Sequence, residues 1–360
     1  MNENSLGSVL VTGGAGFIGI ALAERLAGIA ERWIALDNLH PQVHPNSARP
    51  EALHPRAELV VGDVTDGLVW DALLADVRPS IVIHLAAETG TAQSLHEATR
   101  HAEANVVGTT EMLDAFGRAG FVPDHIVLSS SRAVYGEGQW RAADGTSFLP
   151  GQRSHAQLAA SEWDFPGATP IASSAAATPP APTSIYGATK LAQEHILRAW
   201  TASHDSRLTV LRLQNVYGPG QSLINSYTGI VSLFSQIAKR GDSIPVYEDG
   251  EITRDFVFID DVAQAFVAAL TDGPANTGTP FDIGSGVATT IMELASQIAS
   301  FHGAPAPHVT GAFRDGDVRH SSCSIELSLA SLRWAPQWDV SRGIAALQAW
   351  IDAQPAIVVT

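Results

Sequence analysis

Lysine is almost missing from this chain: of 21 basic residues only Lys190 and Lys239 are lysines, and they face 37 acidic ones. The net charge of −16 repels phosphate backbones and anionic membrane surfaces, which argues against nucleic acid and membranes as partners. Cysteine is limited to Cys323, so no internal disulfide can form, and no Cys/His cluster has metal-ligand spacing. Disulfide scaffolds and zinc ribbons are thereby excluded, no metal site is expected, and a cytoplasmic address fits best. No apolar run approaches the roughly 20 residues of a spanning helix, and the first residues carry no basic and apolar leader. Charged residues make up only 16% of the chain and apolar ones 45%, which excludes the disordered class. Any anionic ligand must be held by a few placed arginines and by helix N-termini working against the global field.

What is present is a periodic pattern over 360 residues, enough for a large domain or a domain and a half. Short β-branched runs at 9–11, 33–36, 59–61, 81–85, 126–128 and 208–213 alternate with helical patterns at 17–26, 65–76, 94–119 and 184–203. Such alternation predicts βα units and a parallel, doubly wound sheet over residues 1–214. Beyond 215 the alternation fades into short strands and helices, the best at 230–240, 262–270 and 291–301, predicting a smaller mixed α/β C-terminal domain over 215–360. Elements of this second part are free to return to the first sheet. Residues 140–183, rich in Ala, Ser, Pro and Gly, have too few periodic apolar positions for a core of their own and read as an insert, either a passive loop or a lid. No internal repeat is evident.

The first strand runs into Gly13-Gly14-Ala15-Gly16-Phe17-Ile18-Gly19 and then a helix. Small residues at this spacing let the chain turn sharply, let a pyrophosphate approach the helix N-terminus, and let that helix pack on the strand. Asp37 follows 18 residues after Gly19 at the end of the second strand, where a carboxylate accepts ribose hydroxyls and repels a 2′-phosphate. This favours NAD over NADP. Asp63-Val64, after the third strand, is placed to reach an adenine edge; taken alone, the pair is only a turn.

Two further stretches carry chemistry. Ser129-Ser130-Ser131-Arg132-Ala133-Val134-Tyr135-Gly136 follows the fifth strand, and Tyr186-Gly-Ala-Thr-Lys190 opens a helix. The i, i+4 spacing puts Tyr186 and Lys190 on one helical face, where the ammonium and an oxidised nicotinamide would lower the phenol pKa from about 10 toward neutrality. Chance produces such a pair often. In a chain that uses Arg nineteen times and Lys twice, however, a lysine here points to a need for a compact, ribose-reaching ammonium.

These residues resemble the extended short-chain dehydrogenase/reductases, the nucleotide-sugar epimerase/dehydratase family. The resemblance spans most of the chain: Thr12–Gly19, Asp37-Asn38, Asp63-Val64, His84-Leu85-Ala86-Ala87-Glu88-Thr89, Asn105, Ser129–Gly136, Tyr186–Lys190, Arg212–Pro219 and Arg254-Asp255-Phe256. It implies a Rossmann domain that binds NAD, a C-terminal domain that binds a nucleotide sugar, and a homodimer formed through the helical stretches 94–119 and 184–203. It also implies that Ser131, Tyr186 and Lys190 are catalytic. Gly13, Gly16, Phe17, Ile18, Gly19, Asp37, Asn38, Asp63, Val64, Leu85, Ala86, Ala87, Asn105, Ser129 and Gln214 would hold the cofactor with Tyr186 and Lys190. Asn215, Asn225, Arg254, Arg314 and Asp317 would hold the substrate. Thr89 and Thr91 either touch the sugar or cap the helix that begins near Ser94. Arg132 contacts substrate or cofactor, or else forms a surface ion pair.

Departures narrow the reaction. Dehydratases of this family place an Asp-Glu pair directly after the triad Ser/Thr, where elimination of water needs an acid and a base. Arg132 and Ala133 stand there instead, which leaves epimerisation and ketone reduction. Ala87–Ser94, Ser131–Gly138, Asn215–Leu223 and Glu248–Glu251 resemble the dTDP-L-rhamnose 4-epimerase-like branch, implying a 4-epimerase on a dTDP-6-deoxyhexose. The neighbouring alternative is an NAD(P)H-dependent 4-ketoreductase of a dTDP-4-keto-6-deoxysugar. A catalytically silent dinucleotide sensor on the same fold is disfavoured by the intact Ser131, Tyr186 and Lys190. One departure, Asn225-Ser226-Tyr227, falls where sugar specificity is set.

Overall fold

The computed structural model describes residues 6–44, 46–223, 229–271, 273 and 279–354. Its centre is a seven-stranded parallel sheet of β1 (Ser8–Thr12), β2 (Arg32–Asp37), β3 (Glu58–Val61), β4 (Ile81–His84), β5 (His125–Ser131), β6 (Arg207–Leu213) and β7 (Phe281–Ile283). The spatial order is β7-β6-β5-β4-β1-β2-β3, the Rossmann arrangement. β1, β4 and β5 are buried along most of their length because helices cover both faces of a parallel sheet. The strand order reverses between β1 and β4, which opens a crevice at the carboxyl ends of those two strands.

The helices are α1 (Phe17–Ile29), α2 (Gly67–Asp76), α3 (Gly108–Arg118), α4 (Ile185–Ser203), α5 (Ile230–Lys239), α6 (Ile259–Thr271), α7 (Ile291–His302), α8 (Glu326–Leu332) and α9 (Val340–Ala353). α1 and α6 pack on one face of the sheet around Leu22, Leu26, Val262 and Phe266, while α2, α3 and α4 bury Trp70, Phe116 and Leu197 on the other. The expected helix over 94–119 is broken up: short turns at Thr91–Ser94 and Ala98–Ala102 and a π-helical turn at Glu103–Val107 precede α3.

The C-terminal part has its own core of Tyr217, Phe256, Phe258, Leu294, Ile298 and Leu347 around strands Asn215–Tyr217, Thr253–Phe258, Ala288–Thr290 and His320–Ser321. β7 and α6 return from it to the first sheet.

The insert is ordered. Trp140–Ala142, Ser147–Phe148 and Ala168–Pro170 form a three-stranded antiparallel sheet, followed in the chain by α4. Its anchor is charge rather than apolar surface: buried Arg153 donates to Glu248 at 2.9 Å and to Glu137 at 3.3 Å. Arg319 joins the same cluster through Glu248 at 3.0 Å and Asp249 at 2.7 Å. Buried Trp140 packs edge-on against Phe165 at 4.9 Å.

Candidate active site

A cavity of about 530 Å³ runs along the carboxyl ends of β1, β4, β5 and β6, where the strand order predicts a ligand. At one end the chain leaves β1 through Gly13, whose φ of +65° and 2.9 Å clearance from a would-be Cβ to the Ala86 nitrogen both require glycine. A Cβ on Gly14 would lie 2.7 Å from that of Ala35, and one on Gly19 would collide with the Gly14 carbonyl. α1 can therefore seat tightly behind the turn. Its N-cap, Gly16, offers no side-chain oxygen to the first amides, so they stay open toward the cavity.

Asp37 ends β2 with both carboxylate oxygens engaged: Oδ2 accepts from the Ala15 amide at 3.0 Å and Oδ1 from the Leu39 amide at 2.9 Å. The carboxylate thus ties the glycine turn to the wall beside it. Asn38 donates to Asp63 Oδ2 at 2.8 Å, joining the ends of β2 and β3. Burial pushes the Asp63 carboxyl up, but hydrogen bonds from Thr65 and Asn38 outweigh it and hold the group below the usual range.

At the other end β5 delivers Ser131 and α4 delivers Tyr186 and Lys190. Ser184 caps α4 by accepting from the Gly187 amide at 3.0 Å, which puts Tyr186 in the first turn. Gly187 lets that turn press onto the Ala133 carbonyl, where a Cβ would collide. Close approach of these two backbones sets Tyr186 on the cavity wall with Ser131, whose Oγ accepts from the Ala133 amide at 3.1 Å.

Burial raises the Tyr186 phenol above its ordinary value, and two neighbours oppose it: the Ser131 hydroxyl and the Arg132 charge. Arg132 is a charge near Tyr186 that the sequence reading did not weigh beside Lys190. Lys190 is itself pushed down to about 7 by burial, with Glu194 pulling the other way. Glu194 accepts from Ser130 Oγ at 2.5 Å and from both Arg212 Nε and Nη2 at 2.9 and 2.7 Å, an almost fully buried network behind the site.

Gly13, Gly16, Phe17, Ile18, Asp37, Asn38, Asp63, Val64, Leu85, Ala86, Ala87, Ser129 and Gln214 all line this cavity with Ser131, Tyr186 and Lys190. So do Thr89, Thr91, Arg132 and Asn215. The short helical turn at Thr91–Ser94 is capped by Gly90 with no side-chain bond, so neither threonine serves as its cap. Among the described residues Arg132 forms no ion pair; its Nε donates to Asn215 Oδ1 at 2.7 Å and its Nη1 to Ser321 Oγ at 3.1 Å.

Other expected residues lie off the wall. Gly19 sits behind it in α1. Asn105 is fully buried; its amide brackets the backbone of Glu88, accepting at 2.8 Å and donating at 3.0 Å, and donates to Thr189 Oγ1 at 2.9 Å. It braces the loop after β4 against α4. Arg254 and Asp317 pair with each other at 2.8 Å beyond Arg132, and exposed Arg314 lies over the Tyr247 ring at 5.1 Å. Asn225 lies outside the described residues.

Sequence reasoning missed Arg100, His40 and Gln42, which line the cavity and are joined there by Arg100 Nη2 donating to Gln42 at 2.9 Å and to Glu88 at 2.8 Å. No local pattern marks them. It also missed Glu194, although the step of four that pairs Tyr186 with Lys190 reaches Glu194 next.

Comparison with known proteins places these features. Residues 9–284 match the family described as NAD dependent epimerase/dehydratase family. A dTDP-L-rhamnose 4-epimerase of Burkholderia thailandensis is 62% identical over 343 residues, covering 95% of this chain and 94% of that protein. A UDP-glucose 4-epimerase of Mycolicibacterium smegmatis is 33% identical over 341 residues, covering 93% of this chain and 96% of its own. Among solved structures, a UDP-glucose 4-epimerase from Thermotoga maritima with UDP-glucose superposes with a TM-score of 0.77 at 27% identity, covering 96% of this chain and 98% of that one. One from Thermus thermophilus in complex with NAD gives 0.74 at 27% identity, covering 96% and 99%. With a family match across most of its length, and Ser131, Tyr186 and Lys190 gathered over a Rossmann crevice, this chain belongs to the NAD dependent epimerase/dehydratase family.

Proposed function

We propose that this chain is an NAD-dependent nucleotide-sugar 4-epimerase acting on a dTDP-linked 6-deoxyhexose. The observation that carries the reading is the placing of Ser131, Tyr186 and Lys190 at one end of a cavity whose other end is the glycine turn and Asp37, with Arg132 and Ala133 where a dehydratase needs two carboxylates. The likeness to the Burkholderia protein supports the dTDP-6-deoxyhexose.

The residues present fit NAD. The glycine turn is a cradle that a Cβ at Gly13, Gly14 or Gly19 would fill, Asp37 offers a carboxylate for ribose hydroxyls, and Lys190 stands on the same wall as Tyr186. When bound, NAD supplies a reversible acceptor for the hydride on C4 of the sugar. Tyr186, as phenolate, takes the C4 hydroxyl proton while that carbon is oxidised, and Ser131 shares the hydrogen bond. After the sugar has presented its other face, Tyr186 gives the proton back to the C4 oxygen, so that C4 is inverted with no net redox change. Arg254, Arg314 and Asn215 hold the diphosphate during the turn, and Thr89 and Thr91 face the sugar. Asn105 acts at one remove by fixing the loop that carries them.

On this reading residues 1–214 with β7 form the dinucleotide half and the rest the nucleotide-sugar half. The protein is a cytoplasmic homodimer whose interface includes the segments 94–119 and 184–203, where Leu95 and Val107 are exposed. The test is Tyr186→Phe: C4 inversion of dTDP-L-rhamnose, followed by NMR, should fall by about 10²–10⁴-fold with an unchanged melting curve. Retention of near wild-type inversion would sink the assignment of Tyr186.

A further inference from the structure

Four arginines sunk into this protein neutralise their charge on a carboxylate: Arg153 on Glu137 and Glu248, Arg212 on Glu194, Arg254 on Asp317, and Arg319 on Glu248 and Asp249. Arg132 does not. Its guanidinium is anchored at two corners by neutral oxygens, Asn215 Oδ1 at 2.7 Å and Ser321 Oγ at 3.1 Å, and among the described residues no carboxylate lies within ion-pair distance. Asp317, whose charge acts on Arg132, is taken by Arg254 at 2.8 Å. Arg132 is half-buried at the cavity wall, and a cation held there by neutral partners alone favours an anion beside it, so the place where an anion can form is informative.

Arg132 follows Ser131 directly and lines the same cavity as Ser131 and Tyr186. We infer that Arg132 is the positioning residue that holds the negative charge of ionised Tyr186, so that this tyrosine can act as base. The inference rests on the reading of Tyr186 as the proton-transferring group. Its surroundings agree. Tyr186 is faced by Ser131 from the end of β5, Arg132 from the turn Arg132–Tyr135, and Lys190 on its own helix. Beyond Arg132 lie Arg254 and Asp317, and beyond Lys190 lie Glu194 and His84. Burial and Arg254 lower the Arg132 pKa to about 9, while Asp317 and Tyr186 support its charge, so the cation is still formed at neutral pH. Burial pushes Lys190 down to about 7, with Glu194 pulling the other way. Asn215 and Ser321 fix the guanidinium plane, which makes this a set position rather than a sweeping arm.

The test is the pH profile of kcat for C4 inversion in the NAD-loaded enzyme, wild type against Arg132→Gln and Arg132→Lys. Without the charge, Tyr186 ionises later. The ascending limb of Arg132→Gln should move up by about one pH unit, giving about tenfold lower kcat at a pH below the limb and recovery above it. KM should stay within about twofold, and Arg132→Lys should restore part of the shift. A second readout needs no turnover: tyrosinate absorbance titrations of wild type against Tyr186→Phe, and of Arg132→Gln against Arg132→Gln/Tyr186→Phe, isolate the Tyr186 titration in each background. A later titration in the Arg132→Gln background supports the inference, and coincident titrations overturn it even if that variant is inactive. A raised KM with an unmoved limb also overturns it, and assigns Arg132 to the substrate diphosphate. Should Tyr186→Phe keep full activity, the functional reading fails instead, whatever Arg132 does.

Discussion

Replacing Arg153 by methionine tests whether the insert over 140–183 is a passive loop or part of the frame that holds the substrate arm. The side chain is 1% exposed and bridges Glu137 at 3.3 Å and Glu248 at 2.9 Å, and its Nη2 also donates to the Asp317 carbonyl at 2.9 Å. Methionine fills similar space but strands charge, and breaking a buried pair by removing one partner costs about 3–5 kcal/mol. At about 2 °C per kcal/mol, the low end for larger domains, the melting temperature should fall by about 6–10 °C. Glu137 adds a pH signature. Burial raises its carboxyl to about 7, so the folded state binds a proton that the unfolded chain releases at lower pH; stability from this group is present in acid and is lost as pH rises through 7. Without Arg153 that pKa rises further, and the penalty of Arg153→Met should shrink below pH 7. Denaturant midpoints from pH 5.5 to 8 read both effects. A loss under about 1 kcal/mol with no pH dependence would refute the view that these charges fasten the insert.

Two other outcomes follow from the site. Asp37→Asn keeps an acceptor for the Ala15 or Leu39 amide but removes the charge that repels a 2′-phosphate. NAD affinity should drop about tenfold and NADP binding should become measurable by equilibrium titration, whereas an unchanged preference would mean that selectivity lies elsewhere. His84 is fully buried, with Nδ1 accepting from Thr12 Oγ1 at 2.7 Å and Nε2 bonded to Thr109 Oγ1 at 2.9 Å, since the Thr109 proton goes to the Asn105 carbonyl. Neutral imidazole satisfies both bonds, and burial lowers its pKa to about 3. The unfolded chain takes up a proton that the folded one refuses, so this stability is complete above about pH 6.5 and is lost as pH falls toward 3, at up to about 1.4 kcal/mol per unit. His84→Gln should flatten the acid slope of the denaturant midpoint, and parallel slopes would contradict the assignment.

The parts of this protein legible in its sequence are those whose cause is local. The glycine turn, the strand ends carrying Asp37 and Asp63, and the Tyr186 and Lys190 pair each follow from backbone sterics or helical spacing within a few residues. The six predicted strands of the first domain all appear, most of them a residue or two longer than read. What was illegible depends on distant partners. Arg153 and Glu248 are 95 positions apart and Arg319 and Glu137 are 182 apart, so an insert poor in apolar residues read as loose although charge anchors it. The stretch 94–119 carries a continuous helical pattern, yet the chain spends a π-helical turn at Glu103–Val107 in the segment that carries Asn105 onto the Glu88 backbone. Such turns trade regular hydrogen bonding for a side-chain placement that periodicity does not encode. Arg132 was visible as an oddity beside Ser131, but its lack of a carboxylate partner is a property of the fold.

Redox-neutral inversion requires a protein that keeps its cofactor through the turnover. Enzyme purified without added NAD is denatured and its released NAD(H) quantified, while a second portion is given dTDP-L-rhamnose deuterated at C4 and followed by NMR. Near-stoichiometric NAD, with C4 inverted and the deuterium still on C4, is the predicted result. Protein free of cofactor that leaves this sugar unchanged and reduces a 4-keto sugar only when NAD(P)H is supplied would contradict it.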